Sequence, residues 1–245
     1  MKKIFKISLF LLSLVCFGQN SKYNLKVAYK METYFSGLTT YDANLYSNGS
    51  EAIFKYKNLD KDDVINKGDN NLIFKVTDST LYYVRTSKSR DSVIELKKGM
   101  EKDKLYMIEE SFPKIDWTIT SDTTKVSNYV CYKATTHFRG RDYTAWFTPE
   151  IVSNFGPWKL HGLPGLILIA YDSKKEVLFT AEKIQTVNEP VVKMETKGFN
   201  RVTRQEYKDI LKKGIEELGE KFSSKAERGF TIKVSTSTVK TIEID

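Results

Sequence analysis

The feature that most constrains this chain is an alternation of apolar and polar residues that recurs along most of its length. In the run 24–35, Leu25, Val27, Tyr29 and Met31 alternate with Asn24, Lys26, Ala28 and Lys30. Successive strand side chains point to opposite faces, so this is the pattern of a strand with one buried face. The runs YDANLYS and EAIFKYK flank Asn48-Gly49. Asn-Gly accepts the positive φ that both central residues of a type I′ turn need, which predicts a hairpin. Further strands are expected at 71–77, 80–86, 92–97, 104–111 and 115–121, set apart by Asp, Ser, Asn, Lys and Gly. Many short strands at this spacing make the chain mainly β, as a curved antiparallel meander sheet or an open barrel.

A second hairpin is expected in NYVCYKATTHFRGRDYTAWFTP, 128–149. Centred on Gly140-Arg141 as a type II′ turn, it sets Arg139 opposite Asp142, Phe138 opposite Tyr143 and Ala134 opposite Phe147. Pro149 then ends the strand. One segment is helical in pattern, 203–222. Thr203 and Glu206 have the spacing of a capping box. Tyr207, Ile210, Leu211, Ile215, Leu218 and Phe222 form an apolar stripe, with Lys208, Lys212, Lys213 and Glu217 facing away. Packing on the sheet is the expected role of this amphipathic helix, and a lysine-rich polar face also suits a membrane surface. Residues 229–245 alternate again and read as a final strand or tail, and 187–202 reads as a connection from sheet to helix. There is no internal repeat, so 19–245 is expected to be one domain.

The first residues, MKKIFKISLFLLSLVCFGQN, combine a basic start, an apolar stretch from Ile7 to Phe17 and a small residue at Gly18. That is the pattern of a signal peptide, residues 1–18, with cleavage after Gly18 and export to the periplasm or outer membrane. Acylation of Cys16 in a lipoprotein is the rival reading, and Val15 before it is not small. Removal of Lys2, Lys3 and Lys6 lowers the formal charge from +8 to +5. The remaining basic residues are scattered, with no stripe or motif for nucleic acid. The mature chain keeps one cysteine, Cys131, so it forms no internal disulfide. No later run is apolar enough to span a bilayer.

The chemistry-bearing residues are few. His137 and His161 are the only histidines, too few and too far apart for a metal site, so neither a metal nor another cofactor is expected. Gly-x-Ser-x-Gly and glycine-rich phosphate loops are absent from the sequence. The 31 acidic residues single out no carboxylate pair. The segment GPWKLHGLPGLILIAYD, 156–172, stands apart. Pro164 and Gly165 suit the two central positions of a type II turn. The unbroken apolar run 166–171 predicts a strand covered on both faces, by the helix 203–222, by the Trp146/Trp158 region, or by an apolar ligand.

The run HFRGRDYTAWFTPEIVSNFGPWKLHGLPGLIL resembles the signature of the GLPGLI family, named for the motif at 162–167. Arg139-Gly140-Arg141, Ala145-Trp146-Phe147-Thr148, Gly156-Pro157-Trp158 and the naming motif carry the resemblance. It implies an exported protein of Bacteroidota type and supplies no catalytic residues.

Three functions follow as expectations. The first is a non-enzymatic envelope protein that binds an apolar small molecule or lipid, or an outer-membrane protein. Trp146, Trp158, Leu163, Leu166 and Leu168 would line that site, with Arg139, Arg141, Lys159 and His161 around it and Gly140, Gly162, Pro164 and Gly165 shaping its turns. The second is a hydrolase using His161 with an acid or serine neighbour, and the third is a purely structural envelope component.

Overall fold

The computed structural model describes residues 22–35, 37–60, 63–66, 72–75, 81–99, 104–191, 194–225 and 241–244. The segment 1–18 and most of the expected strand 229–245 lie outside the described residues. The elements in chain order are β1 (Lys22–Tyr34), β2 (Leu38–Ser47), β3 (Glu51–Asn58), β4 (Asp63–Asn66), β5 (Leu72–Lys75), β6 (Leu81–Ser87) and β7 (Ser92–Lys98). They continue with β8 (Leu105–Ser111), β9 (Thr118–Val126), β10 (Tyr129–Phe138), β11 (Arg141–Thr148), β12 (Leu166–Asp172), β13 (Val177–Pro190), β14 (Asn200–Val202) and α1 (Arg204–Lys225).

β4 and β5 pair with each other, and the other twelve strands form one sheet in the order β14-β8-β7-β6-β3-β2-β1-β13-β12-β11-β10-β9. All neighbours in that sheet are antiparallel except β14 and β8. The mainly β, antiparallel-rich architecture, with one C-terminal helix among the described residues, is therefore the one the sequence predicts. It is the open form: the sheet is not closed into a barrel.

The inner face of the sheet can be followed from strand to strand by register. Ile108, Glu95, Val84, Phe54, Leu45 and Val27 stand side by side across β8, β7, β6, β3, β2 and β1. At the other end Met31, Phe179, Ala170, Ala145 and Ala134 cross β1, β13, β12, β11 and β10. The three alanines leave space above the sheet, and the connection 149–165 fills it. Phe155, Trp158, Leu160 and Leu163 join the strand residues in one core cluster. This answers what covers β12. Leu166 and Leu168 face that cluster, and the 156–160 segment lies over Ile167, whose carbonyl also accepts the Tyr29 hydroxyl at 2.6 Å.

The sheet is strongly curled. Eight interstrand steps separate β8 from β11, and at about 4.8 Å per step a flat sheet would hold them about 38 Å apart. Yet Arg139, in the β10–β11 turn, forms an ion pair with Glu110 of β8.

Both expected hairpins form, each with its turn displaced by one residue. Asn48 sits before the turn, where its Oδ1 accepts the backbone N–H of Ser50 at 2.9 Å and of Glu51 at 3.0 Å, and Ser47 pairs with Ala52. An Asx-type turn of this kind needs no positive φ at Gly49. In the second hairpin Arg139 and Gly140 are the central residues, with φ of 53° and 74°, as a type I′ turn requires. Phe138 therefore faces Arg141, and His137 faces Asp142. The expected Arg139–Asp142 pair is replaced by His137–Asp142 at 2.7 Å.

α1 begins as predicted: Thr203 N–H donates to Glu206 Oε2 at 2.6 Å and Glu206 N–H to Thr203 Oγ1 at 3.2 Å. It does not cover β12. Tyr207, Ile210 and Leu211 pack with Tyr106 and Ile108 of β8. Leu218 and Phe222 of the expected stripe lie outside the described side chains.

Gly165 has a positive φ of 156° that side chains rarely adopt, though far from the roughly +80° of a type II corner. Its requirement is also steric: a Cβ there would lie 2.1 Å from Thr148 O and 2.8 Å from Pro149 Cα. Gly162 supplies the left-handed residue of the motif, with φ of 92°. Gly165→Ala must push the motif off β11, and we expect it to cost about 3 kcal/mol, the upper range for overpacking. A Cβ at Gly49 meets nothing within 4 Å, so Gly49→Ala should change stability by less than about 0.5 kcal/mol. Urea unfolding of the two variants separates these outcomes.

Candidate functional site

The basic residues of the 139–169 region converge on buried carboxylates. Glu95 occupies an inward position between Val84 and Ile108 in the cross-sheet row. A carboxylate there is out of water and must have a cation partner. Lys159 provides it. Its side chain is 1% exposed, and its Nζ lies 3.0 Å from Glu95, 2.9 Å from Glu110 and 2.6 Å from Glu243. Further cations complete the cluster: Lys97 reaches Glu95 at 2.9 Å, Arg204 reaches Glu243 at 2.6 Å, and Arg139 bonds Glu110.

Electrostatics favour the charged forms. Burial works against the Lys159 ammonium, but the carboxylates of Glu95, Glu243 and Glu110 outweigh it and hold the group above its ordinary value. Burial likewise opposes ionisation of Glu243. Lys159, Lys97 and Arg204 overcome that and lower its carboxyl to about 2.

Arg141 forms the second part of the site. Its side chain is as buried as that of Lys159, and Nη1 donates to Asp172 Oδ2 at 2.8 Å and to Glu176 Oε2 at 2.9 Å. Nε donates to the carbonyl of Ile242 at 2.9 Å and Nη2 to that of Thr241 at 2.7 Å. Asp172 is in turn held by the Val177 N–H at 2.8 Å, so the β12–β13 turn and the segment 241–244 are fastened to one guanidinium.

The residues expected around a ligand site are brought together, but inside the protein. Trp158, Leu163, Leu166 and Leu168 belong to the buried cluster, and Trp146 is half-buried beside it. Arg141 and Lys159 are not on a rim; they are among the most deeply buried side chains. Two hollows among the described residues are mainly polar. One of about 460 Å³ is lined by Arg90, Glu109, Arg201 and Glu206, and one of about 400 Å³ by Thr118, Thr135, His137 and Asp142.

His161 is enclosed as well. Its Nδ1 lies 2.8 Å from the carbonyl of Lys159 and its Nε2 2.7 Å from that of Pro113, while its ring packs on Phe112 at 4.1 Å between centroids. Burial pushes the imidazole below its ordinary value despite the two carbonyls. Each ring nitrogen faces a backbone carbonyl rather than a serine or an acid, and the neutral ring can donate to only one of the two. His137 is exposed, and Cys131 is buried with its thiol raised by desolvation. Among the described residues no group of His, Cys, Asp and Glu is arranged to hold a metal, and no helix is long and apolar enough to cross a membrane.

Sequence reasoning missed the acids of this site. Glu95 had a readable signal, since the alternation Val93-Ile94-Glu95 puts a carboxylate on the buried face. Glu110, Asp172, Glu176 and Glu243 had none, because their partners are distant along the chain.

A family described as a protein of unknown function (Porph_ging) matches residues 139–169. No curated protein matches the chain. Among solved structures it is similar to PNGF-II in two crystal forms. In the P21 form the TM-score is 0.52 at 13% identity, covering 79% of this chain and 34% of that one. In the C2 form the TM-score is 0.51 at 14% identity, covering 80% and 34%. The chain thus spans about a third of the length of the structures it matches, and at this identity the likeness is one of fold.

Lys159→Met leaves three carboxylates facing one another in the core, and we expect a loss of about 3–5 kcal/mol in urea unfolding. Adding Glu95→Gln should restore part of that loss, giving a coupling that the single variants do not predict. Acid should act through Glu243. Its carboxyl drops from an ordinary 4.5 to about 2 in the folded protein, so its stabilisation is full above about pH 4.5 and fades as the pH falls toward 2. Glu243→Gln should flatten that limb of the unfolding free energy against pH, and an unchanged slope would contradict the assignment.

Proposed function

We propose that this chain is an exported envelope protein without catalytic machinery, which works by presenting a rigid β-scaffold to a partner rather than by carrying an apolar ligand. The observation behind this reading is the internal use of the 139–169 region. Its apolar side chains fill the concave side of the sheet, and Arg139, Arg141 and Lys159 are spent on the protein's own carboxylates. A carrier of lipid or another apolar molecule needs a concave apolar cavity for its cargo. Here the equivalent volume is taken up by Phe155, Trp158, Leu160 and Leu163.

Export rests on the basic and apolar N-terminal residues followed by Gly18. The hydrolase reading finds no support at His161, whose two ring nitrogens face backbone carbonyls and not a serine or an acid. The fold likeness to about a third of PNGF-II fits a module that also occurs inside a larger protein.

Native mass spectrometry of the protein purified from the cell envelope tests the proposal. The expected species starts at Gln19 and carries no lipid, with any companion being a polypeptide at fixed stoichiometry. A stoichiometric lipid would reinstate the carrier reading. A cytoplasmic chain retaining residues 1–18 would remove the envelope assignment.

A further inference from the structure

The segment 241–244 is held in the way a bound peptide is held. Its backbone is read at three points: Arg141 donates to the carbonyls of Thr241 and Ile242, and the Ile244 N–H donates to the carbonyl of Arg139 at 3.1 Å. One apolar side chain, Ile242, packs against the main core. One carboxylate, Glu243, is gripped by Lys159 and Arg204, each at 2.6 Å. Main-chain hydrogen bonds give a bound peptide affinity and side-chain anchors give it selectivity; here the anchors are adjacent residues, and the chain bends at Ile242.

We propose that Arg139, Arg141, Lys159 and Arg204 form a binding site for a short acidic peptide, of which residues 241–244 are the resident occupant. The sequence it selects is an apolar residue followed by glutamate. The apolar residue enters the core cluster and the glutamate meets the Lys159–Arg204 pair. Arg141 is suited to the task because Asp172 and Glu176 already orient its guanidinium through Nη1, leaving Nε and Nη2 aimed at main-chain carbonyls. A planar guanidinium fixed in this way loses little freedom on binding. A hollow of about 50 Å³ adjoins Glu243, lined by Tyr207, Leu211 and Lys97, so the site is not sealed around its occupant.

The tethered segment competes with any free peptide at an effective concentration on the order of millimolar. A peptide from a partner therefore binds measurably only when the resident contacts are weakened. This inference rests on the partner-binding reading only in naming the kind of partner. The test uses purified protein, so it succeeds or fails independently of where the chain resides and of whether it carries lipid.

The probe is a fluorescent peptide of sequence Lys-Thr-Ile-Glu-Ile-Asp, copied from residues 240–245, titrated in an anisotropy assay. The proteins are the full chain and two full-chain variants. Glu243→Gln removes the carboxylate, and Ile244→Pro deletes the N–H that meets Arg139 O. The Ile244 side chain is 54% exposed, so Ile244→Pro should fold even if Glu243→Gln does not. Each folded variant should bind the peptide about tenfold more tightly than the unaltered chain, because its resident segment competes less. A peptide with Gln in place of Glu should bind about tenfold more weakly than the first, the cost of one charge-assisted contact. Equal binding of the two peptides would overturn the proposal. So would the absence of binding to a folded Ile244→Pro variant.

Discussion

A single buried ammonium, that of Lys159, ties together the parts of this molecule that no strand pairing joins. It comes from the connection after β11, yet its partners stand on β7, on β8 and in the segment 241–244. The sheet ladder alone leaves β8 and β11 eight interstrand steps apart. The ion pairs bring these regions to within hydrogen-bond distance, so the curl of the sheet is secured by charge where a barrel would use backbone hydrogen bonds. Buried pairs of this type add little net stability over a well-packed apolar core. Losing one partner is costly, however, and that cost penalises any arrangement in which the charges do not meet. The cluster thus acts on which curled form is adopted more than on how stable it is.

The apolar packing follows from the same arrangement. Ala134, Ala145 and Ala170 form a small-residue row across three strands, and the curl brings the connection 149–165 over it. Trp158 then meets Phe138 edge-on at 5.9 Å between ring centroids. Gly165 allows the connection to turn into β12 against the backbone of Thr148. Rigid turn, apolar strand and buried lysine are one device for filling a curled sheet from its own chain. The free edge at β9 is protected differently, by an exposed and polar strand whose Asp122 pairs with Lys133 of β10 at 3.0 Å. Such edges resist further strand addition.

Much of the architecture was legible along the chain because its signals are local. Alternation and turn signals identified β1, β2, β3, β10 and β11, the unbroken apolar run identified β12, and the Thr203/Glu206 spacing located the start of α1 to the residue. The hairpin turns were each misplaced by one residue. Asn48 offered two turn chemistries, a left-handed central residue or an Asx acceptor, and the side chain took the second. Arg139 adopted a positive φ that its residue type disfavours, because the pairing of Phe138 with Arg141 places Arg139 in the turn. Arg139, Arg141 and Lys159 were recognisable as members of one signature. Their positions at the surface of a ligand site were not supported, since nothing in their neighbourhood along the chain announces the carboxylates they meet.

What the amino-acid sequence determined by itself is most of the strands, the start of the helix and the inward or outward sense of the apolar residues along them. All depend on periods of a few residues and on turn and cap chemistry. The tertiary structure decided where charge is buried, what covers β12 and which strands the helix contacts. Those outcomes depend on groups such as Glu95, Lys159 and Glu243, which are far apart in the chain and become neighbours only when the sheet curls. A charge pair in water is worth little at such separations, and its strength arises only after folding has removed the solvent between the partners.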